Sequence, residues 1–292
     1  LRALRSIEAR VRLSAEELNL PAAPLRDVTI DAAVRDGALR VEPIAGTGAN
    51  GGRAQGRFVL EPDGDGYRAR LEGRLDGGRL HLPRGDIPPS ETPTVDLELE
   101  LAGSGRSLHE IASRSDGRVL AVLGAGHITN TIGDLATSAP IQGLLDALNP
   151  FRKSSPYTDF ECGIAAASIT AGKAEVEPIA ARTDKMTIVG RGKVDLDTEA
   201  IDLVWTIKPR RGVGITPGSI ANPYIKLGGT LGDPSIEAKP LEAAASTGAA
   251  VATGGLTLLF RGIYDRITAE RKVCVNALER ARKDEAERKA AP

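Results

Sequence analysis

The chain has 292 residues, 41% of them hydrophobic, with 38 basic and 39 acidic side chains interspersed to a formal net charge of -1. That apolar content supports a sizeable core and excludes a disordered chain, and the even charge balance leaves no electrostatic footprint for nucleic acid. Aromatics are only 3% while Gly numbers 33 and Pro 18, so burial must come from Leu, Val, Ile and Ala in many short strands joined by tight turns.

The chain starts at Leu1 without an initiator Met, a charged n-region or an apolar h-region, and so reads as a processed chain or a piece of a longer one. From Ala9 to Leu101 apolar residues recur with period two. Val28, Ile30, Ala32 and Val34 alternate with Thr29, Asp31, Ala33 and Arg35, and Val95, Leu97, Leu99 and Leu101 alternate with Asp96, Glu98 and Glu100. This pattern predicts strands with one dry and one wet face. Asp36-Gly37, Asp63-Gly64-Asp65-Gly66 and Asp76-Gly77-Gly78 are expected to be hairpin turns, since Gly accepts the positive φ a reversal needs. The expectation is an antiparallel meander with one apolar face.

A near-repeat runs through this pattern. Gly37-Ala-Leu-Arg-Val-Glu-Pro-Ile-Ala45 returns as Gly172-Lys-Ala-Glu-Val-Glu-Pro-Ile-Ala180, and each copy is followed by a Gly-Arg pair, Gly56-Arg57 and Gly190-Arg191. Similar β-units laid side by side usually work through an extended surface rather than a compact pocket.

The centre changes character. Ser107-Leu-His-Glu110 is a capping box that predicts a short helix ending before Asp116-Gly117, followed by a strand from Arg118 to Leu123. Thr129 to Ala136 and Ala139 to Leu148 read as helices, because Ile141, Leu144, Leu145 and Leu148 share one face behind a first-turn Pro140. Strands are then predicted over 157–167, 173–181, 186–196, 201–208, 224–231 and 235–239. Phe160, Cys162, Ile164 and Ala166 share one strand face, as do Ile201, Leu203, Trp205 and Ile207. After Pro240 the chain turns helical, with 18 uncharged residues from Ala243 to Phe260. Most are Ala, Gly, Ser and Thr, whose transfer into lipid gains little. Leu256, Leu259, Phe260 and Ile263 are the candidates for contact with the sheet or with a membrane surface. The charged stretch from Arg280 to Pro292 is expected to fray.

The residues offer little for catalysis. Gly46-Thr-Gly48-Ala-Asn-Gly51 matches a dinucleotide fingerprint, but a strand pattern follows where a helix N-terminus would have to meet the pyrophosphate. His81, His109 and His127 lie apart without ligand spacing. Asp195, Asp197 and Glu199 sit at a hairpin tip, and no nucleophile elbow or Walker loop occurs. No enzyme activity, cofactor or metal is expected. Cys162 and Cys274 stand alone in the sequence, as two buried thiols or as a bridge closing a loop of about 113 residues and adding about 4 to 5 kcal/mol on the chain-entropy model.

From Gly105 to Pro240 the sequence resembles the AsmA-like C-terminal region of bacterial envelope proteins. The likeness rests on Gly105-Arg-Ser-Leu108, Ser115-Asp-Gly-Arg-Val119, Leu148-Asn-Pro-Phe151, Asp159-Phe-Glu-Cys162, Gly190-Arg-Gly-Lys-Val-Asp-Leu196, and Ala221-Asn-Pro-Tyr224 leading to Gly228-Gly-Thr-Leu231. The strands from Leu13 to Leu82 look like the variable β-repeats that precede it. The resemblance divides the chain into a β-meander repeat region (1–104), an AsmA-like C-terminal β domain (105–240) with a helical insert at 107–148, and a C-terminal helix with a charged tail (241–292).

The fold so implied is mainly β with helices (α+β): a curled antiparallel β-sheet groove or half-barrel with short covering helices and a C-terminal helix. The resemblance further implies a periplasmic protein, anchored in the inner membrane by an N-terminal helix absent from this chain. Its function would be to carry or bridge phospholipids between inner and outer membranes without catalysis, in support of outer-membrane biogenesis. Acyl chains would lie on an apolar groove whose candidate lining is Val28, Ile30, Val34, Leu97, Leu99, Ile164, Leu203 and Ile207. The alternative is an assembly scaffold for outer-membrane or other envelope proteins, with a filled β core. An oxidising periplasm would favour a Cys162 to Cys274 bridge pinning the C-terminal helix to the sheet.

Overall fold

A computed structural model of the protein describes residues 1–18, 25–48, 52–80, 87–129, 157–210, 223–240 and 272–290. Its strands are β1 (Ala9–Leu18), β2 (Leu25–Arg35), β3 (Ala38–Gly48), β4 (Arg53–Asp63), β5 (Gly66–Arg79), β6 (Thr94–Gly105), β7 (Asp116–Leu123), β8 (Gly126–Thr129), β9 (Tyr157–Thr170), β10 (Lys173–Thr183), β11 (Met186–Asp195), β12 (Ile201–Pro209), β13 (Pro223–Gly229) and β14 (Pro234–Pro240). They form one 14-stranded sheet in chain order, antiparallel throughout, with β7 and the short β8 both paired to β9. The sheet is curled and groove-like and does not close. It crosses position 104/105 without a break, since β6 ends at Gly105 and pairs with both β5 and β7.

The repeat is structural. Asp36 and Gly37 turn at φ 52° and 75°, and Ala171 and Gly172 at 47° and 74°, the paired positive φ values that match a two-residue turn to the twist of its strands. Both Glu42-Pro43 and Glu177-Pro178 are cis peptides. The three-residue steps Val41 to Ile44 and Val176 to Ile179 lie opposite the two-residue steps Phe58 to Gly56 and Gly192 to Gly190. Each Glu-Pro is therefore a β-bulge, one extra residue that turns the strand back into phase. The Gly-Arg pairs follow suit, with Gly56 facing Ile44 and Gly190 facing Ile179.

Two turns differ from expectation. Asp76-Gly77-Gly78 is no hairpin: β5 runs through it with a register shift between Leu75 and Gly78. Gly77, at φ 63°, takes the bend and donates its N–H to an Asp96 carboxylate oxygen at 2.6 Å. Thr129, expected to begin a helix, ends β8. The rest of that predicted helix and the one over 139–148 lie outside the described residues.

The predicted central helix is α1 (Leu108–Ala112), capped by the Ser107 hydroxyl, which accepts from the Glu110 N–H at 3.1 Å. The Glu110 carboxylate accepts from the Arg106 N–H, one residue before the partner of a standard capping box. At the C-terminus α2 (Val273–Ala290) is helical from Arg280 to Ala290, within the stretch expected to fray. Ion pairs of Arg280 with Glu177 (2.9 Å), Arg118 with Glu285, and Lys283 with Glu287 (3.6 Å) engage its charged length. Its first turns are bonded covalently, because Cys162 on β9 and Cys274 form a disulfide across 112 positions of sequence.

At the other end of the sheet, β1 is clamped to β2 by Asp31, whose carboxylate accepts from Arg10 (2.8 and 3.1 Å) and Arg12 (2.8 and 3.2 Å). These hydrogen bonds hold the Asp31 carboxyl well below the usual carboxylate range. Lowered in the folded state, it contributes stability that is complete above the ordinary Asp pKa near 4 and is lost as pH falls further. Asp31→Asn is expected to reduce the loss of stability between about pH 4 and 2, measured by urea unfolding across that range.

The turns give a second test. Gly64 turns at φ 57° with open space where a Cβ would stand, whereas at Gly172 (φ 74°) a Cβ would press on the Ser113 carbonyl. Gly64→Ala is expected to cost about 1 kcal/mol, the left-handed penalty alone, and Gly172→Ala at least about twice that, compared by urea midpoints.

Candidate functional site

Antiparallel register fixes which side chains share a face. Following partners from β1 to β13, one row reads Leu13, Ile30, Ile44, Gly56, Gly73, Leu99, Val119, Ala167, Val176, Gly192, Leu203 and Leu227. Every member is apolar. A neighbouring row reads Leu75, Leu97, Ala121, Ala165, Ile179, Gly190 and Trp205, and another Val11, Ala32, Val41, Phe58, Leu71 and Leu101. One face of the sheet is thus a continuous apolar surface reaching from β1 to β13.

Two clusters lie on this face. Leu60, Tyr67 and Ala69 are buried with Ile111 of α1, against Leu4 of the N-terminal 3-10 helix (Arg2–Ser6). Met186, Trp205 and Ile207 form the second, with Ile188, Leu203 and Leu227. Between them Leu71, Leu97, Leu99, Leu101 and Val119 are half-buried, and no second layer covers them among the described residues. Val11 and Leu13 at the β1 edge are 59% and 53% exposed.

Of the eight candidate lining residues, Val28, Ile30, Val34, Leu97, Leu99, Leu203 and Ile207 lie on this face. Ile164 does not. On β9 it pairs with Val122 and Ala180, which point to the opposite face, and it is 3% exposed in a cluster with Leu120, Ala180, Val189, Val273 and Ala277. Alternation alone does not separate the two because both faces of β9 are apolar, Ile164 and Ala166 on one and Ala165, Ala167 and Ile169 on the other. Phe58, Leu71, Leu101, Val119 and Trp205 also belong to the apolar face; they are absent from the candidate lining, although the same alternation carries them.

The opposite face changes along the sheet. Over β4 to β7 it is charged and internally paired. Arg57 meets Glu72 through two bonds of 2.6 and 2.8 Å, and Arg118 meets Glu100 at 2.7 Å. Arg57 holds the Glu72 carboxyl below its ordinary range, and Glu100 raises the Arg118 guanidinium. Over the second repeat this face carries an apolar patch that includes Ile164, Ala180 and Val189 beside charged pairs such as Lys193 with Glu175, and α2 seats on the patch. Superposing the repeats by register shows why the helix chooses the second copy: Ile164, Ala180 and Val189 correspond to Thr29, Ala45 and Gln55 in the first.

Among the described residues no other constellation competes with the apolar face. Gly46 and Gly48 belong to β3, and the next described element is the strand β4. His127 pairs with Asp159 at 2.8 Å and His109 lies 3.4 Å from Asp197, while His81 is outside the described residues. No His, Cys, Asp and Glu cluster suited to a metal occurs among the described residues. The candidate membrane contacts Leu256, Leu259, Phe260 and Ile263 also lie outside them, and no described helix is long and apolar enough to cross a membrane. Comparison with models of protein families, with curated proteins and with solved structures finds no match to the chain.

The two faces predict different costs. Ile164→Ala empties a packed site and is expected to lower stability by about 2 to 4 kcal/mol, whereas Leu99→Ala on the half-buried face should lose about 1 to 2. Urea midpoints of the two variants decide it.

Proposed function

We propose that the protein is a non-catalytic carrier of phospholipids, whose acyl chains lie along the apolar face while headgroups stay in water. The observation that carries this reading is the row of twelve apolar residues running unbroken across the sheet, with no second layer over Leu99 and Val119 at its middle among the described residues. Such a surface has to be offered to something apolar. A flexible chain gains about 0.8 kcal/mol for each methylene it withdraws from water, and a sheet without polar interruptions lets it shift along the face with little change in energy. The resemblance to AsmA-like envelope proteins supports placing the chain in the periplasm, held to the inner membrane by a segment outside this sequence, and bridging phospholipids towards the outer membrane in support of its biogenesis.

A photoreactive residue installed singly at Leu99, Leu203 or Ile164 tests the reading. Purified from an envelope-forming bacterium, the Leu99 and Leu203 proteins are expected to yield phospholipid adducts by mass spectrometry, and the Ile164 protein none. Equal labelling at all three sites, or adducts at none together with no co-purifying phospholipid, would contradict it.

A further inference from the structure

The seat of α2 is narrow for an 18-residue helix. Val273 and Ala277 are buried, at 1% and 2% exposure, and Leu278 and Ala281 pack beside them. Beyond Ala281 only Ala286 and Ala290 interrupt the charged residues. Isolated helices of this length and polarity are marginal in water, and the ion pairs from Arg280 and Glu285 back to the sheet are partly exposed, where such pairs contribute little. The strongest tie is the Cys162 to Cys274 bond at the first turn of the helix. Both cysteines are half-buried rather than sealed in the core, which leaves the bond within reach of a reductant in solution.

What α2 covers is also distinctive. Leu120, Ile164, Ala180 and Val189 form an apolar patch on the face opposite the proposed lipid surface, where the sheet is dry on both sides. Among the described residues α2 is what covers that patch.

We propose that the Cys162 to Cys274 bond is a redox latch on α2: its reduction releases the helix and uncovers the apolar patch, while the sheet stays folded. The latch exchanges with a dithiol, as a small molecule or at the active site of a thiol–disulfide oxidoreductase. One thiolate of the dithiol attacks a sulfur of the bond to give a mixed disulfide, and its second thiolate resolves it. The two electrons leave Cys162 and Cys274 as thiols and the dithiol as a disulfide. Oxidation by the reverse exchange reseats the helix. The proposal does not depend on what the apolar face carries.

Hydrogen exchange with mass spectrometry on the whole chain, oxidised and after reduction by a phosphine, tests it. Amides of α2 between Asn276 and Arg288 are expected to lose protection at least about tenfold on reduction, while amides of β9, β10 and β11 keep theirs, and reoxidation restores the helix. Tryptic cleavage after Arg280 and Arg282 should accelerate in parallel. Unchanged α2 protection in the reduced protein would overturn the proposal, by showing that packing and ion pairs hold the helix alone. Loss of protection across β9 to β11 would overturn it equally, by making the bond a staple of the whole fold. Because the folded, oxidised protein is reduced in place, the result does not hang on whether Cys274→Ser folds.

Discussion

Register is the constraint on which everything else in this protein rests. A side chain alternates faces at every residue, so thirteen strands hydrogen-bonded in one path present a single apolar surface only if each is in phase with the next. A slip of one residue at β6 would turn Leu97, Leu99 and Leu101 away and bring Asp96, Glu98 and Glu100 to the apolar side. The protein keeps phase through tight turns whose backbone matches strand twist, and through bulges that absorb a single extra residue. The charged pairs on the opposite face, Arg57 with Glu72 and Arg118 with Glu100, join side chains of adjacent strands and oppose the same slip.

The two copies of the repeat show one backbone plan serving two ends. Turn, bulge and Gly-Arg pair coincide, and the apolar face is continuous through both. Their other faces have diverged at two of three equivalent positions, Thr29 against Ile164 and Gln55 against Val189, while Ala45 and Ala180 are alike. That exchange of polar for branched apolar side chains is enough to make one outer surface wet and the other a seat for α2. The C-terminal helix is thus a cover for the second repeat, fixed by a covalent bond where its own apolar contribution is small.

Much of this is legible in the sequence. Alternation in residues 28–34 and 95–101 identifies strands and their dry side, and the recurrence of Val-Glu-Pro-Ile identifies equivalent units. What hides is phase. Counted strictly by twos, Val41 and Ile44 fall on opposite faces, and only the bulge at Glu42-Pro43 puts both on the same one. Asp76-Gly77-Gly78 carries turn chemistry yet sits inside β5, because a Gly at positive φ serves a bulge as well as a hairpin. Ile164 reads as a lining residue in the sequence and lies on the other face for a related reason. Where both faces of a strand are apolar, periodicity says that residues alternate without saying which set meets which neighbour, and here a helix more than a hundred residues away decides it.

Trp205 is the single tryptophan of the chain and lies on the apolar face within the cluster of Met186 and Ile207, which makes it a built-in reporter for the central claim. Phospholipids brominated along their acyl chains are predicted to quench Trp205 fluorescence in a saturable manner, while the same lipids without bromine leave it unchanged. A full titration without quenching, in protein whose fluorescence still responds to unfolding, would contradict the placement of acyl chains on this face.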